Sequence, residues 1–191
     1  MRHLLSWLIL TSVCAQAGEL IKVSDSLYRG GRPKSSQLTS LAGLGVKTVI
    51  DLQGGDLNNP DLRPVMKLFE PGESPKAIAL ESARVQKLGM GFYNFPLDSL
   101  DTVTAAEDRA IDQIVQLMGD PAHQPVFVHC EHGHDRTGLV VALYRIQHDG
   151  WNANDAYNEW VARGHSTLSQ FFTWNLDVYF FLKAAGLRPA K

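Results

Sequence analysis

The sequence HCEHGHDRTG, residues 129–138, lies between two apolar runs that predict how the chain folds around it. The preceding run, PVFV at residues 125–128, is short and rich in β-branched and aromatic residues, which predicts a buried strand. The following run begins with LVVAL at residues 139–143 and continues through Ile146, long enough to predict a buried helix. The ten residues are therefore expected to form a loop that ends at a helix N-terminus.

A helix N-terminus gives such a loop a definite chemistry. Backbone N–H groups there have no intrahelical partners, and the helix dipole adds partial positive charge, so phosphate is a favoured ligand. The same environment favours the thiolate form of a cysteine. Cys130 at one end of the loop and Arg136 at the other therefore indicate a thiolate nucleophile and a bidentate phosphate clamp.

The composition is that of an ordinary folded domain. The chain has 191 residues, of which 45% are hydrophobic and 20% charged, enough to bury a substantial core. The formal net charge is -2, so the bulk charge gives no indication of a nucleic-acid partner, and we expect none. Because the sequence has no internal repeat or long linker, we interpret residues 18–191 as one domain.

Residues 1–17 have the pattern of a signal peptide. A basic start (MRH) is followed by an apolar stretch at residues 4–10 and by Ala-Gln-Ala at residues 15–17, which predicts cleavage after Ala17 and export to the periplasm or beyond. The apolar stretch is shorter than the about twenty residues that span a bilayer, so we expect no stable membrane anchor. Cleavage would remove Cys14 and leave Cys130 as the only thiol, and a lone thiol in an oxidising compartment favours a functional role.

The remaining patterns predict alternating strands and helices. Thr104 and Glu107 form a capping box that predicts where one of the helices begins. Residues 53–74 contain many glycines and prolines and could be either a substrate-facing loop or an ordinary surface excursion. Strands are expected near 21–23, 27–29, 46–52, 92–97 and 125–128, and helices near 36–44, 77–88, from 104, from 139, at 154–162 and at 168–184. This order predicts an α/β fold with a short, mostly parallel central sheet flanked by helices.

The spacing His-Cys, five residues, Arg-Thr-Gly resembles the signature of the cysteine-dependent protein tyrosine phosphatase superfamily. The layout is most similar to its compact dual-specificity branch, which includes tyrosine-phosphatase-like inositol polyphosphate phosphatases (phytases). Further landmarks are LYRGGRP at 27–33, GVKTVIDL at 45–52, and the pairs Tyr144-Arg145 and Gly150-Trp151. The resemblance implies a dual-specificity-phosphatase-like single domain that hydrolyses phosphate monoesters without a metal or another cofactor.

The resemblance and the chemistry of phosphate monoesters assign the same roles. Cys130 would attack phosphorus and form a phosphocysteine, and Thr137 would donate a hydrogen bond to the sulfur. Arg136 and the loop N–H groups would hold the equatorial oxygens, whereas His129 would shape the loop. The expected substrate-binding residues are those of the loop and two at the rim near the entry motif: Glu131, His132, Gly133, His134, Asp135, Arg32 and Lys34.

The family also requires a general acid from a loop before the helix that precedes the cysteine strand, and two aspartates fit. Asp98 directly follows the strand that ends at residue 97, whereas Asp101 lies three residues before Thr104. We favour Asp98, because an acid attached to a strand end is easier to hold within hydrogen-bond reach of the leaving group. Asp101 could instead serve the electrostatics of the following helix N-terminus.

The residues between Cys130 and Arg136 bear on the substrate. They include two acids and two histidines but no lysine, unlike the loops of many phosphoinositide phosphatases. Protonation of His132 and His134 below about pH 6.5 would add positive charge, so we expect higher activity on the acid side of neutrality.

The two acids would weaken the attraction of the loop for a polyanion at neutral pH, whereas export favours a small anionic phosphorylated substrate such as an inositol polyphosphate. The alternatives are a secreted dual-specificity or tyrosine protein phosphatase and a non-catalytic protein that binds phosphate or metal. The metal alternative depends on the dense group of Cys130 with His129, His132 and His134, whose spacing lacks the gaps of structural zinc sites. The sequence does not predict an oligomeric state.

Overall fold

A computed structural model describes residues 19–54, 74–98, 102–165 and 167–187, with the backbone alone for 167–173. The expected signal peptide, residues 55–73 of the segment rich in glycine and proline, and the alternative acid Asp101 lie outside the described residues. The domain boundary that we place at residue 18 therefore stays a prediction.

The described residues form one five-stranded sheet. Its strands are β1 (Leu20–Lys22), β2 (Leu27–Gly30), β3 (Thr48–Asp51), β4 (Gly91–Asn94) and β5 (Val126–His129). They lie in the order β1-β2-β5-β3-β4, and all neighbours are parallel except β1 and β2. The predicted short, mostly parallel sheet is confirmed.

Six helices cover the sheet within the described residues, as the sequence patterns predict. They are α1 (Ser35–Gly43), α2 (Pro75–Lys87), α3 (Ala105–Gly119), α4 (Asp135–His148), α5 (Ala153–Ala162) and α6 (Thr167–Ala184). The capping box of α3 forms as predicted, since the Glu107 N–H donates to Thr104 Oγ1 and the Thr104 N–H donates to Glu107 Oε2. None of the helices in the described part of the chain has the length and apolarity needed to cross a bilayer.

The core has two layers because alternate residues of each parallel strand face opposite sides of the sheet. Val126 and Val128 of β5 pack with α3, α4, α5 and α6, whereas Phe127 packs with α1 and α2 on the other face. Residues 136–144 of α4 are all buried. Burial on every side explains why the sequence of this helix is apolar all round rather than amphipathic.

Two strands are shorter than the apolar runs predict. The runs at 46–52 and 92–97 predict longer strands, but β3 ends at Asp51 and β4 ends at Asn94. The chain then leaves the sheet while still bonded to it, since the Leu52 N–H donates to His129 O at 2.9 Å and the Leu97 N–H donates to Leu52 O at 3.2 Å. These extensions bring residues 52–54 and 95–98 to the edge of the sheet where β5 ends.

Candidate active site

The Cys130 loop lies at the carboxyl edge of the sheet, between β5 and α4. His129, the last residue of β5, is in register with Gly30 of β2 and Asp51 of β3, so the ends of three strands meet beneath the loop. Cys130 is 3% exposed and Arg136, in the first turn of α4, is 7% exposed. The predicted strand, loop and helix arrangement is confirmed, with the nucleophile candidate at the N-terminus of a buried helix.

One loop N–H group already contacts the sulfur. The backbone N–H of Gly133 donates to Cys130 Sγ at 3.3 Å, so the loop backbone points towards the candidate nucleophile. Thr137 was expected to donate to the sulfur, but its buried hydroxyl has no hydrogen-bond partner among the described residues. Its hydrogen bond to the sulfur during the reaction therefore stays a prediction.

Gly133 fits this loop because no side chain could occupy its position. Its φ is +80°, in the left-handed region, and a Cβ would lie 2.5 Å from the Gly30 carbonyl oxygen and 2.6 Å from the Gly31 nitrogen. These neighbours are backbone atoms at the end of β2, which cannot turn aside as a side chain can. The loop therefore rests directly on the LYRGGRP segment that the sequence singled out.

Gly133→Ala is expected to lower kcat/KM by about 100-fold, because the loop must shift away from residues 30 and 31 and its N–H groups lose their alignment. Steady-state assays on p-nitrophenyl phosphate measure the loss. Gly45→Ala is the matched control, since Gly45 also has φ +80° but its Cβ would meet open space. The control should cost only about 1–2 kcal/mol of stability. Equal activity in the two variants would contradict the close approach.

Arg29 is a site residue whose role the sequence did not predict, since it was noted only as part of the LYRGGRP landmark. It is 2% exposed in the middle of β2, and its Nη2 donates to the Gly133 carbonyl oxygen at 2.7 Å. Burial lowers the pKa of Arg29 to about 10, although Glu159 and the nearby Cys130 oppose that shift. The guanidinium remains charged at neutral pH and supports the loop from beneath.

Arg136 connects the loop to the general-acid candidate. Its Nη1 donates to the Leu97 carbonyl oxygen at 3.5 Å, which brings the residue before Asp98 beside the phosphate clamp. Asp98 is 8% exposed, and its backbone N–H donates to Glu107 Oε1 at 2.8 Å. Glu107 therefore serves two segments, because its other carboxylate oxygen accepts from Thr104. This second contact of the capping box was not predicted, and it fixes the backbone of Asp98.

The rim candidate Arg32 lies against the loop but is engaged by a carboxylate. Its Nη2 lies 2.7 Å from Glu131 Oε2, and its Nε donates to Gln53 Oε1 at 3.1 Å. Gln53 completes the triangle by donating from Nε2 to Glu131 Oε2 at 2.6 Å. Lys34 is exposed directly before α1. The loop acid Glu131 is thus neutralised by Arg32, a compensation that the sequence did not reveal.

The two loop histidines differ in environment. His132 is exposed, whereas His134 is half-buried and packs against Gly164, where a Cβ would lie 2.8 Å from its ring. Burial lowers the pKa of His134. This ring therefore gains a proton only at more acidic pH than the sequence led us to expect. Asp135, the second loop acid, pairs with His165, which lies outside the motif.

His129 holds the end of β5 through two acids. Its Nε2 lies 2.9 Å from Glu81 Oε1, an ion contact whose angles fall outside hydrogen-bond geometry, and its Nδ1 lies 3.8 Å from Asp51 Oδ1. Burial opposes protonation, but these carboxylates outweigh it and raise the pKa of His129. The loop-shaping role expected of His129 agrees with these contacts.

Asp51, Glu81 and His129 also form the one group of three potential metal ligands in the described part of the chain, with donor atoms within 4.8 Å. Asp51 already accepts from the Gln53 N–H and from Asn94 Nδ2, so the ion-paired arrangement accounts for the group. Cys130, His132 and His134 are not part of it. The structure therefore does not bring together Cys130, His129, His132 and His134, the donors on which the metal-binding alternative depends.

Comparisons with known proteins identify the family and the fold. The tyrosine phosphatase family matches residues 18–174 of the chain. The chain is 27% identical over 140 residues to the dual specificity protein phosphatase TpbA of Pseudomonas aeruginosa, covering 73% of this chain and 52% of that protein. It is 22% identical over 171 residues to the inositol diphosphatase DSP2 of Oryza sativa subsp. japonica, covering 86% of this chain and 73% of that protein. The chain thus spans about half the length of TpbA.

Solved structures show the same fold. P. aeruginosa TpbA in complex with pTyr superposes with a TM-score of 0.62 at 22% identity, covering 93% of this chain and 96% of that one. The core catalytic domain of the PP-IP phosphatase SIW14 from S. cerevisiae, in complex with citrate, superposes with a TM-score of 0.59 at 17% identity. The superposition covers 88% of this chain and 94% of that one. The dual-specificity-phosphatase-like fold expected from the loop motif is confirmed.

Proposed function

The chain belongs to the tyrosine phosphatase family, and from this premise we propose that it hydrolyses phosphate monoesters through a phosphocysteine on Cys130. The observation that carries the proposal is the loop itself. Cys130 and Arg136 are both buried at the N-terminus of α4, and the Gly133 N–H contacts the sulfur. A nucleophile and an anion clamp in this position are suited to phosphoryl transfer.

The first chemical step forms the sulfur–phosphorus bond. The Cys130 thiolate attacks phosphorus while the bond from phosphorus to the leaving oxygen breaks, and Asp98 gives its proton to that oxygen. Arg136 and the loop N–H groups hold the equatorial oxygens, whose charge is redistributed in the transition state. Arg29 keeps the loop in place through the Gly133 carbonyl.

The second step restores the enzyme. Asp98, now ionised, takes a proton from a water molecule that attacks phosphorus, and the sulfur–phosphorus bond breaks to release phosphate and the thiolate. The buried Thr137 hydroxyl, which has no partner in the described structure, would donate to the departing sulfur. Asp98 donates the proton of the first step and regains one from water in the second, so this scheme assigns no role to a cofactor.

The proposed substrates are inositol polyphosphates or similar small phosphorylated molecules. Two comparisons support this class, since DSP2 is an inositol diphosphatase and SIW14 a PP-IP phosphatase. Arg32 and Lys34 lie on the segment after β2, where they would face phosphates that do not react. We also propose export, on the pattern of residues 1–17.

A second candidate is a secreted dual-specificity or tyrosine protein phosphatase. It is favoured by the similarity to TpbA, whose structure holds pTyr. A panel of p-nitrophenyl phosphate, a phosphotyrosine peptide, inositol hexakisphosphate and a phosphoinositide distinguishes the two. We expect the highest kcat/KM on the inositol polyphosphate. A preference for the peptide would replace our substrate class, and phosphate binding without turnover would indicate a non-catalytic binding protein.

Asp98→Asn is expected to lower kcat by roughly 100-fold on an alkyl phosphate, because the alkoxide leaving group then receives no proton. The loss of kcat should be much smaller on p-nitrophenyl phosphate, because p-nitrophenolate is a stable anion that can leave without being protonated. Asp101→Asn is the matched control and should keep kcat on both substrates. If Asp101→Asn loses activity on the alkyl phosphate and Asp98→Asn does not, the acid is Asp101.

A further inference from the structure

His165 is a buried residue outside the motif that connects two carboxylates. It is 0% exposed, its Nδ1 lies 2.6 Å from Asp135 Oδ1, and its Nε2 lies 2.8 Å from Asp177 Oδ1 of α6. An ionised carboxylate can only accept hydrogen bonds, so two such contacts require a proton on each ring nitrogen. The arrangement therefore describes an imidazolium cation between two acids.

The His165 ring belongs to a platform that touches the loop at three places. It stacks on Trp160 of α5, with ring centroids 4.1 Å apart, and Trp160 Nε1 donates to the His134 carbonyl oxygen at 3.0 Å. Trp160 also packs so closely on Gly138 that a Cβ there would collide with the indole. His165 therefore holds Asp135, whereas Trp160 holds the His134 carbonyl group and packs against Gly138.

The contact between His165 and Asp135 matters for an anion site because Asp135 carries a negative charge in the loop. Asp135 is the first residue of α4 and the neighbour of Arg136. An uncompensated carboxylate there would repel a phosphate dianion and compete for the guanidinium. Glu131, the other acid of the loop, is neutralised by Arg32, so Asp135 needs a cation of its own.

We propose that His165 is a positioning residue that neutralises Asp135 as an imidazolium and so keeps the phosphate loop attractive to dianions. This inference rests on the proposed phosphatase function of the same loop. His165 does not touch the reacting atoms, and it acts through Asp135. The groups facing its ring are Asp135 from α4, Asp177 from α6, and Trp160 and Tyr157 from α5.

The protonation of His165 extends well above neutral pH. Burial alone would lower the pKa of the ring, but Asp135 and Asp177 outweigh it and raise the pKa to about 9. The pKa of His165 in the folded protein exceeds that of an ordinary histidine. The stabilisation of the folded protein by protonated His165 is therefore complete below about pH 6.5. It declines as the pH rises further and is lost as the pH passes through about 9.

The test compares wild type, His165→Gln, Asp135→Asn and the double variant, with His148→Gln as a control at an exposed histidine remote from the motif. His165→Gln should lower kcat/KM on p-nitrophenyl phosphate by roughly tenfold or more, because Asp135 is left uncompensated. The double variant should regain most of that loss, since it removes the charge that His165 balances. A double variant as impaired as His165→Gln, or a His165→Gln variant as active as wild type, would overturn the proposal.

Two further measurements on folded protein keep the outcome decisive. Nitrogen-15 NMR of the wild-type histidines at pH 7.5 should show both nitrogens of His165 protonated, and a neutral tautomer would overturn the proposal even if His165→Gln does not fold. Inorganic phosphate should bind wild type more tightly than His165→Gln. If wild type releases phosphate from none of the substrates, the proposed function fails, and the NMR and binding results still decide the role of His165.

Discussion

Cys130→Ser is expected to abolish turnover on every phosphate monoester that the wild-type protein hydrolyses. Serine has almost the same size, but its hydroxyl is far less ionised than a thiol and so supplies almost no nucleophilic anion. Loss of a catalytic nucleophile typically costs on the order of 10⁴-fold or more in kcat. Phosphate release by the purified variant, followed over hours at high enzyme concentration, measures the residual rate.

The Cys130→Ser variant should remain folded and keep its affinity for phosphate. The substitution leaves Arg136, Arg29 and the loop backbone in place, so inorganic phosphate should still bind, as isothermal titration calorimetry can measure. A variant that keeps more than a few per cent of wild-type kcat would show that Cys130 is not the nucleophile. A variant that binds no phosphate would show that the sulfur also supports the loop.

Arg136→Lys is expected to lower kcat/KM by roughly 10²–10³-fold, even though the charge is retained. Lysine presents a compact ammonium and cannot reproduce the planar, bidentate contact of a guanidinium with two phosphate oxygens. The contact between Arg136 and the Leu97 carbonyl would also be lost, which loosens the segment that carries Asp98. Both kcat and KM should therefore deteriorate in steady-state assays.

Arg145→Lys is the matched control for this substitution. Arg145 lies on the same helix and pairs with Glu159 and Asp149, away from the loop. This variant should lose some thermal stability but keep wild-type kcat. If the two lysine variants lose kcat to the same extent, the effect of Arg136→Lys reflects the stability of α4 rather than phosphate binding.

The sequence predicts the parts of the site that are local. Two apolar runs of different length predict β5 and α4, and the loop between them follows directly. Thr104 and Glu107 predict the start of α3 through their spacing alone. These features depend on neighbours within a few residues, so periodicity, capping patterns and glycine positions are enough to identify them.

The parts that the sequence did not predict depend on packing between distant segments. Arg29 reaches Gly133 and Gln53 reaches Glu131 only because β2, β3 and β5 end at the same edge of the sheet. His165 belongs to no motif, and its two carboxylate partners lie on different helices. Charged or polar residues of this kind have no periodic pattern, so their pairing is visible only in three dimensions.

The general acid was predicted only in part from the sequence. The order of strand, aspartate and capped helix narrows the choice to Asp98 and Asp101, but the side-chain roles depend on the fold of the connecting loop. The structure fixes the Asp98 backbone through Glu107 and places it beside Leu97, which contacts Arg136. Asp101 lies outside the described residues, so the comparison of the two asparagine variants decides between them.

Mass spectrometry of a reaction stopped within milliseconds tests the central claim most directly. Wild-type protein is mixed with excess substrate, quenched in neutral denaturant and digested, and the peptide that contains Cys130 is analysed. We expect that peptide to carry one added phosphoryl group, which disappears once the substrate is exhausted and is absent from Cys130→Ser. Steady phosphate release while this peptide stays unmodified at every time point would contradict a phosphocysteine mechanism.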